Sequence, residues 1–544
     1  MKGYRYIFFV VLAIFSIQAV HVNKDKLFEI AKHIEIYTNI YKELNSNYVD
    51  ELDPAELMKT GIDAMVNSLD PYTRYISESQ IESFRISTEG KYSGIGAVIR
   101  EVDSVLTLIE AYENSPAIEA GLIPGDQILS VNGESTKGRS SEDIRNIMRG
   151  APGTDIAMVV KRYGEEDLKN FSVSRSEINI PNVPHYEILE GGYGYVHLSQ
   201  FTDNSSLNIV NAIKEMKKEQ ELNGIILDLR FNGGGLLREA IGVTNIFVNK
   251  DEEIVSTKGK VLERDRIFKT TMSPLDTLSP VVVLINGRSA SASEIVSGAI
   301  QDLDRGVLVG QRSFGKGLVQ NTQKVGYNSQ IKLTTSKYYI PSGRCIQSVA
   351  YENGEPVHIP DEERKAFKTK IGRKVLDGGG VKPDINVEKQ EIPEFVQFLL
   401  KKNVIFKYAN GFCAKHDSIA EVGSFHFEDY EGFKKMFNDM NLDFNSKLEN
   451  SFLKFSEELE SSGKTMVEDQ LVQQIKGQLQ QESAELLNKN KDLIINEIEK
   501  EIISRYYFLN GKIRYSLLND VELETAIEIL NNPIKYKEIL SVIE

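Results

Sequence analysis

The chain has 544 residues, 41% of them apolar and 26% charged, ordinary proportions for a globular protein and room for three or four domains. Its 64 Lys and Arg are outnumbered by 79 Asp and Glu, a net charge of −15 that argues against nucleic acid as a partner and for a freely soluble body. The two cysteines, Cys345 and Cys413, have neither C-x-x-C nor metal-ligand spacing, so they define no metal site, and a bridge between them stays open.

Lys2 and Arg5 precede Tyr6 to Val20, fifteen residues without a charge. That run is short for a membrane span of about 20 residues and right for a signal-peptide core. Ala19 has Ile17 rather than a small residue two positions before it, so the cleavage site is imperfect. Residues 1–22 are therefore read as a leader, with an uncleaved anchor in the inner membrane still open. Either exports the chain to the periplasm or cell envelope. Residues 23–87 follow as a helical section: Ile30, Ile34, Tyr37, Ile40, Tyr41 and Leu44 form one stripe, and a second helix is expected from Pro54 to Ser68. Leu69-Asp-Pro-Tyr-Thr-Arg-Tyr75 then breaks the pattern with a turn.

Residues 88–176 read as a separate module. Tyr92-Ser-Gly-Ile-Gly-Ala-Val98 opens it and Ala120-Gly-Leu-Ile-Pro-Gly-Asp-Gln-Ile-Leu-Ser-Val-Asn-Gly133 marks its middle. Strands are expected around Met158 to Lys161 and Leu168 to Arg175. These runs resemble a PDZ domain. Gly94 and Gly96 would let consecutive N–H groups converge into a nest for a carboxylate, and an extended peptide could add to the sheet edge beside it. The resemblance implies that Ser93, Gly94, Ile95 and Gly96 receive the free C-terminus of a protein or peptide. On its own, a G-x-G pair would signal only a tight hairpin entry.

Strand-helix alternation resumes over 177–390. A strand is expected at Gly194 to Phe201, a helix at Ser205 to Lys218, and a buried strand at Gly224 to Arg230. That strand runs into Phe231-Asn-Gly-Gly-Gly235 and a helix from Leu236 to Val248. A glycine loop that ends a strand and opens a helix brings backbone amides to an anion. Val281 to Ile285 is a short β-branched run suited to a fully buried strand. Asn286 and Gly287 turn the chain into alternating Ser and Ala, and Glu294 to Leu303 has helical spacing. A further buried strand, Gly306 to Val309, leads to a loop with Lys316 between Gly315 and Gly317.

A strand-turn-helix with a small nucleophile at the turn holds a hydroxyl out at the sheet's end, beside helix N-terminal amides. Serine needs a base, and none of the seven histidines falls in this stretch. A lysine can serve only when neutral. Its reference pKa of about 10.4 leaves roughly one in two or three thousand neutral at pH 7, and burial can lower it by several units.

The Ser-Ala-Ser-Ala-Ser-Glu run at 289–294 and Phe314-Gly-Lys-Gly-Leu-Val-Gln320 together resemble the carboxyl-terminal processing peptidases, also called tail-specific proteases. The resemblance implies an α/β multidomain chain: a ClpP/crotonase-like α/β catalytic core with an inserted PDZ domain, an N-terminal helical section and a C-terminal helical domain. It implies Ser291 as nucleophile, Lys316 as base, Gln320 as its orienting partner, and the N–H groups of Gly234 and Ala292 as the oxyanion hole. It implies no metal and no organic cofactor. Phe231 and Gly233 stand where the family more often has Asn and Pro, which puts the loop's rigidity in question. The Asp-Pro-Tyr-Thr turn, the strand Gln330 to Ile340 with Pro341-Ser-Gly-Arg344, and Asp377-Gly-Gly-Gly-Val-Lys-Pro-Asp384 have family counterparts too.

Plainer readings compete. The Ser-Ala run could merely pack a helix start against a sheet, and Lys316 could be a solvated loop lysine. Gly310 to Lys316 matches a phosphate loop, yet Gly317 replaces its Ser or Thr and no helix is expected to follow. A catalytically inactive scaffold that binds protein tails is the rival in function. Tyr351 to Lys370 reads as an exposed polar loop. Residues 391–544 read as amphipathic helices, most regular over Leu471 to Ile503, which could pack, dock a partner or form a homodimer.

Overall fold

A computed structural model describes residues 26–542 apart from 140, 348, 353–354, 359, 443, 462–473 and 476–484. The leader-like stretch and part of the Leu471 to Ile503 pattern lie outside the described residues. The chain divides into two compact units, the first made of residues up to Ser79 with Gln320–Thr334 and Tyr351–Pro356, the second of the remainder.

In the first unit a helix over 26–47 precedes the helix Pro54–Asn67. Asp53 caps the latter by accepting from the N–H groups of Ala55 and Glu56, and Pro54 takes the first helical position, where its missing N–H costs nothing. The stripe on the earlier helix lies at the surface, with Ile34 62% and Ile40 54% exposed. The Asp-Pro-Tyr-Thr turn is closed by Asp70, which accepts from Tyr72 N–H, Thr73 N–H and the Thr73 hydroxyl. Its outgoing strand Arg74–Ile76 pairs antiparallel with Gln330, Ile331 and Lys332.

The second unit is built on a six-stranded sheet. His185–Leu189 is antiparallel to Tyr193–His197, and Gly224–Asp228, Val281–Ile285, Val307–Gly310 and Ile385–Asn386 follow in parallel. Every residue of the strands at 224–228 and 281–285 is buried, so both sheet faces must be covered. Ile225, Leu227, Val281, Val283 and Ile285 pack beneath the helices Ser205–Glu219, Leu237–Phe247 and Ala292–Asp302. Ile226, Val282, Leu284, Val307 and Val309 point the other way, against Leu523, Ala526, Ile529 and Leu530 of the helix Val521–Leu530. The chain's last helices thus complete the sheet's second layer. A separate helical core gathers Phe395, Leu399, Ile405, Phe433, Ile494, Ile498 and Ile502.

The module over 88–176 enters and leaves through one ladder, Lys91–Gly94 against Ser176–Asn179. Its sheet runs in the order 97–102, 105–111, 127–131, 155–161, 168–174, which leaves Ala97–Val102 at an edge. The segment read as an exposed polar loop contains strands: Val349–Glu352 pairs with Glu355–His358, and Ala366–Lys368 with Lys374–Leu376. Runs of three or four residues are too short to show a period.

Candidate active site

Ser291 sits where the strand Val281–Ile285 has turned into the helix Ala292–Asp302, and it holds φ 57°, ψ −110°. A non-glycine residue with positive φ is strained by roughly 1–3 kcal/mol, and such strain persists only where the surroundings over-determine it. Here they do. The Asn286 N–H donates to the Ser289 hydroxyl at 2.9 Å, and that hydroxyl donates to the Leu229 carbonyl at 2.8 Å. The Ala290 N–H and the Ser293 hydroxyl both donate to the Asn232 carbonyl, at 3.0 and 2.8 Å. The Ser-Ala run is thereby laced to the glycine loop that ends the neighbouring strand.

Glu294, fully buried in the first turn, joins the serine to the lysine loop. Its Oε2 accepts from the Ser291 N–H at 2.7 Å and from the Lys316 N–H at 2.9 Å. Its Oε1 accepts from the Ser313 hydroxyl and the Gly315 N–H, each at 2.6 Å. Burial pushes the Glu294 carboxyl pKa up, and the donors from Ser313, Lys316, Ser291 and Gly315 pull against that rise. On the carbonyl side, the buried Tyr338 hydroxyl donates to the Ser291 carbonyl at 3.1 Å and to that of Lys316. One carboxylate oxygen therefore gathers both N–H groups, and one phenol gathers both carbonyls.

Lys316 itself is half-buried. Gly315 holds φ +90°, and a Cβ on Gly317 would stand 2.7 Å from the Gln347 nitrogen, so both glycines are required by conformation or by space. The next strand, Leu318–Gly326, starts directly. A phosphate loop would open a helix there, so that alternative fails on geometry. Gln320 belongs to the first unit, and its amide donates to Thr334 Oγ1 at 3.3 Å.

Gly234 holds φ +97°, and a Cβ there would lie 2.6 Å from the Ala290 carbonyl oxygen and 2.9 Å from the Ala292 nitrogen. Only glycine fits this close to the Ser-Ala run. One donor of the expected oxyanion hole is engaged in this structure: the Gly234 N–H donates to Asn232 Oδ1 at 2.9 Å, and the buried Asn232 amide is itself fixed by the Leu198 carbonyl. An oxyanion must compete with that oxygen. Ala292 is at the helix N-terminus, where first-turn donors lack intrahelical partners.

Arg230, between the strand and the glycine loop, is buried and surrounded by carboxylates. Asp228 lies 2.6 Å away, Asp520 2.6 Å and Glu522 3.0 Å. Burial would raise the Asp228 pKa, but the Arg230 guanidinium holds it far below the usual carboxylate range. Asp228 also accepts from Tyr195 at 2.7 Å, and His197 Nδ1 lies 3.8 Å away, beyond hydrogen-bond reach.

At the PDZ-like loop, Ile95 is buried and Gly96 holds φ +74°, where a Cβ would meet that of Ser115 at 2.4 Å. The Tyr92 ring lies across Gly94, within 2.7 Å of where a Cβ would be. Burial raises its phenol's pKa well above 10, opposed in part by N–H groups of Gly96 and Ala97 that point at it. The nest expected to hold a carboxylate thus faces an oxygen of its own chain. The Ser93 hydroxyl is buried with no partner among the described residues.

Sequence reasoning gave Glu294 only a place in a motif and Tyr338 only a place in a strand. The Ser-x-x-Glu spacing of a capping box was the available signal for the first. Nothing local pointed to Asp520 or Glu522. Cys345 and Cys413 are both free thiols.

Comparison with known proteins agrees with this layout. Residues 192–353 match peptidase family S41, 109–162 match a PDZ domain, and 395–530 match "Probable PDZ-protease, C-terminal helical domain". The carboxy-terminal-processing protease of Bartonella bacilliformis is 35% identical over 351 residues, 64% of this chain and 80% of that protein. A "Probable CtpA-like serine protease" of Staphylococcus aureus is 31% identical over 391 residues, 68% of this chain and 76% of that one. Among solved structures, the photosystem II D1 C-terminal processing protease is 25% identical over 65% of this chain and 87% of that chain, with a TM-score of 0.35, too low to carry weight. A serine endopeptidase with a PDZ domain and a C-terminal helical domain, the chain belongs to peptidase family S41 and, within it, to the carboxy-terminal-processing proteases.

Proposed function

We propose that this peptidase cuts with a Ser291/Lys316 dyad and selects substrates by their free C-terminal carboxylate. Neutral Lys316 takes the Ser291 proton as the hydroxyl attacks the scissile carbonyl. The N–H groups of Gly234 and Ala292 receive the oxyanion, with Gly234 turning from Asn232 Oδ1 as charge develops. The protonated lysine then delivers its proton to the leaving amine, and the acyl-enzyme is hydrolysed by water with the same lysine as base. Gln320, four residues beyond Lys316, orients the amine. Ser93 to Gly96 take the substrate's carboxylate, displacing the Tyr92 phenol, and the tail pairs with the exposed edge of Ala97–Val102. The uncharged run Tyr6 to Val20 supports action outside the cytoplasm.

One observation carries the reading: a single Glu294 oxygen accepts from the backbone of both Ser291 and Lys316. A carboxylate spent on fixing two otherwise unrelated loops makes sense where their side chains must work together. The test is cleavage of a peptide with an apolar free C-terminus by the wild type and by Ser291→Ala and Lys316→Ala. Each variant should lose at least about a thousandfold in kcat/KM. Persisting cleavage in both ends the dyad, and equal cleavage of the amidated peptide ends tail capture.

A further inference from the structure

The glycine loop and the lysine loop leave the sheet at the ends of the two strands that flank Val281–Ile285, and one carboxylate from far along the sequence touches the root of each. Glu522 stands in the first turn of Val521–Leu530. Its Oε2 lies 3.0 Å from Arg230 Nη1, and its Oε1 accepts from Gln311 Nε2 at 2.8 Å. Arg230 precedes the glycine loop with Gly234, and Gln311 opens the loop to Lys316. We infer that Glu522 is a positioning residue of the peptidase site, holding the oxyanion loop and the lysine loop in register from outside the family S41 match.

Three further observations support this. Arg230 is fixed in plane by Asp228, whose oxygens accept from Nε at 3.0 Å and from Nη2 at 2.6 Å, so a pull on its opposite edge, which Glu522 shares with Asp520, is passed to the backbone. Gln311 is fixed likewise, since its amide also donates to the Val387 carbonyl at 2.9 Å and its N–H to that of Ile285 at 3.0 Å. The helix cannot slide, because Leu523, Ala526, Ile529 and Leu530 are packed into the sheet face. Asp520 shares Arg230 but also caps the helix through the Leu523 N–H, so its removal would confound positioning with folding. Glu522 carries no such second duty.

The inference rests on the Ser/Lys reading, and its test separates the two. In the full-length protein, Glu522→Ala should lower kcat on the free-tailed peptide about tenfold or more while KM stays within about twofold, because substrate is captured elsewhere and only the alignment of reacting groups is lost. Glu522→Gln retains an acceptor for Gln311 and loses the charge facing Arg230, so it should show a smaller loss in kcat alone. Acetate added to Glu522→Ala, at concentrations that leave the wild type unchanged, should recover part of kcat by occupying the vacated carboxylate position. Glu524→Gln, an exposed acid in the same turn, controls for helix charge and should match the wild type. Wild-type kcat in Glu522→Ala overturns the inference, as does a loss of kcat that merely follows the folded fraction measured by circular dichroism at the assay temperature. If Glu522→Ala does not fold, unchanged kcat in Glu522→Gln overturns it. Full activity in Ser291→Ala would instead remove the dyad, whatever Glu522 variants do.

Discussion

Phe231 shows how a single position can carry a cost with no evident gain. It takes φ +61° at the head of the glycine loop, is 67% exposed, and has the Arg288 guanidinium 5.8 Å from its ring centre. An aromatic residue at left-handed φ costs roughly 1–2 kcal/mol that Asn largely avoids, and an exposed cation–π contact returns only about 0.5–1 kcal/mol. Phe231→Asn should therefore stabilise the protein slightly, by about half a kcal/mol, read as a higher midpoint in urea at unchanged m-value. Peptide turnover should be preserved, since the Phe231 side chain serves no step of the proposed chemistry. The same scale shows what a sequence can disclose. Ser291 and Lys316 were legible because each sits in a run whose spacing is its own signature. Glu294 was visible only as the third residue after a serine, since its second task, the Lys316 N–H, is set by a loop 22 positions on. The bond from Gly234 to Asn232 was hidden because a buried amide's orientation depends on what surrounds it.

Elements announced themselves where burial was complete. Val281–Ile285 was readable to the residue because all five side chains are buried and apolar. Leu318–Gly326 was missed: its outer half is exposed, so neither alternation nor an apolar run marks it. The turn before Val281 depends on a group that sequence could not single out. Asp276 accepts from Leu278 N–H, Ser279 N–H, the Ser279 hydroxyl and Lys217 Nζ. Burial alone would raise its pKa, but Lys217 and Ser279 bring it down to about 2. A carboxyl depressed in the folded state adds stability above its unfolded pKa of about 3.9 and gives it up as pH falls through the folded value. The contribution is thus present at neutral pH and disappears between about pH 4 and pH 2. Asp276→Asn should unfold at lower urea concentration at pH 7, and its stability should fall less steeply than the wild type's over that acid window. Parallel acid limbs in the two proteins would show that the Asp276 charge does not support the turn.

At the scale of the second unit, the main question is what the C-terminal helices are for. Amphipathic stripes in 391–544 could be read from sequence, but which surface each would cover could not, because a stripe records only that something apolar lies opposite. The structure divides them. Most enclose their own core, while Val521–Leu530 covers the sheet face formed by Ile226, Val282, Leu284, Val307 and Val309. A parallel sheet cannot leave a face of this composition in water. Ending the chain at residue 519 should therefore do more than remove a terminal appendage. It uncovers that face and leaves Arg230 and Asp228 without Asp520 and Glu522. The expected product binds a hydrophobic dye, runs as aggregates in size exclusion and lacks a cooperative thermal transition, although the helical core keeps its own apolar interior. A soluble truncated protein with wild-type melting would mean that the sheet tolerates exposure there. Such a product would reduce Val521–Leu530 from a layer of the peptidase to a surface ornament, and it would remove the rigid support on which any positioning role for Glu522 depends.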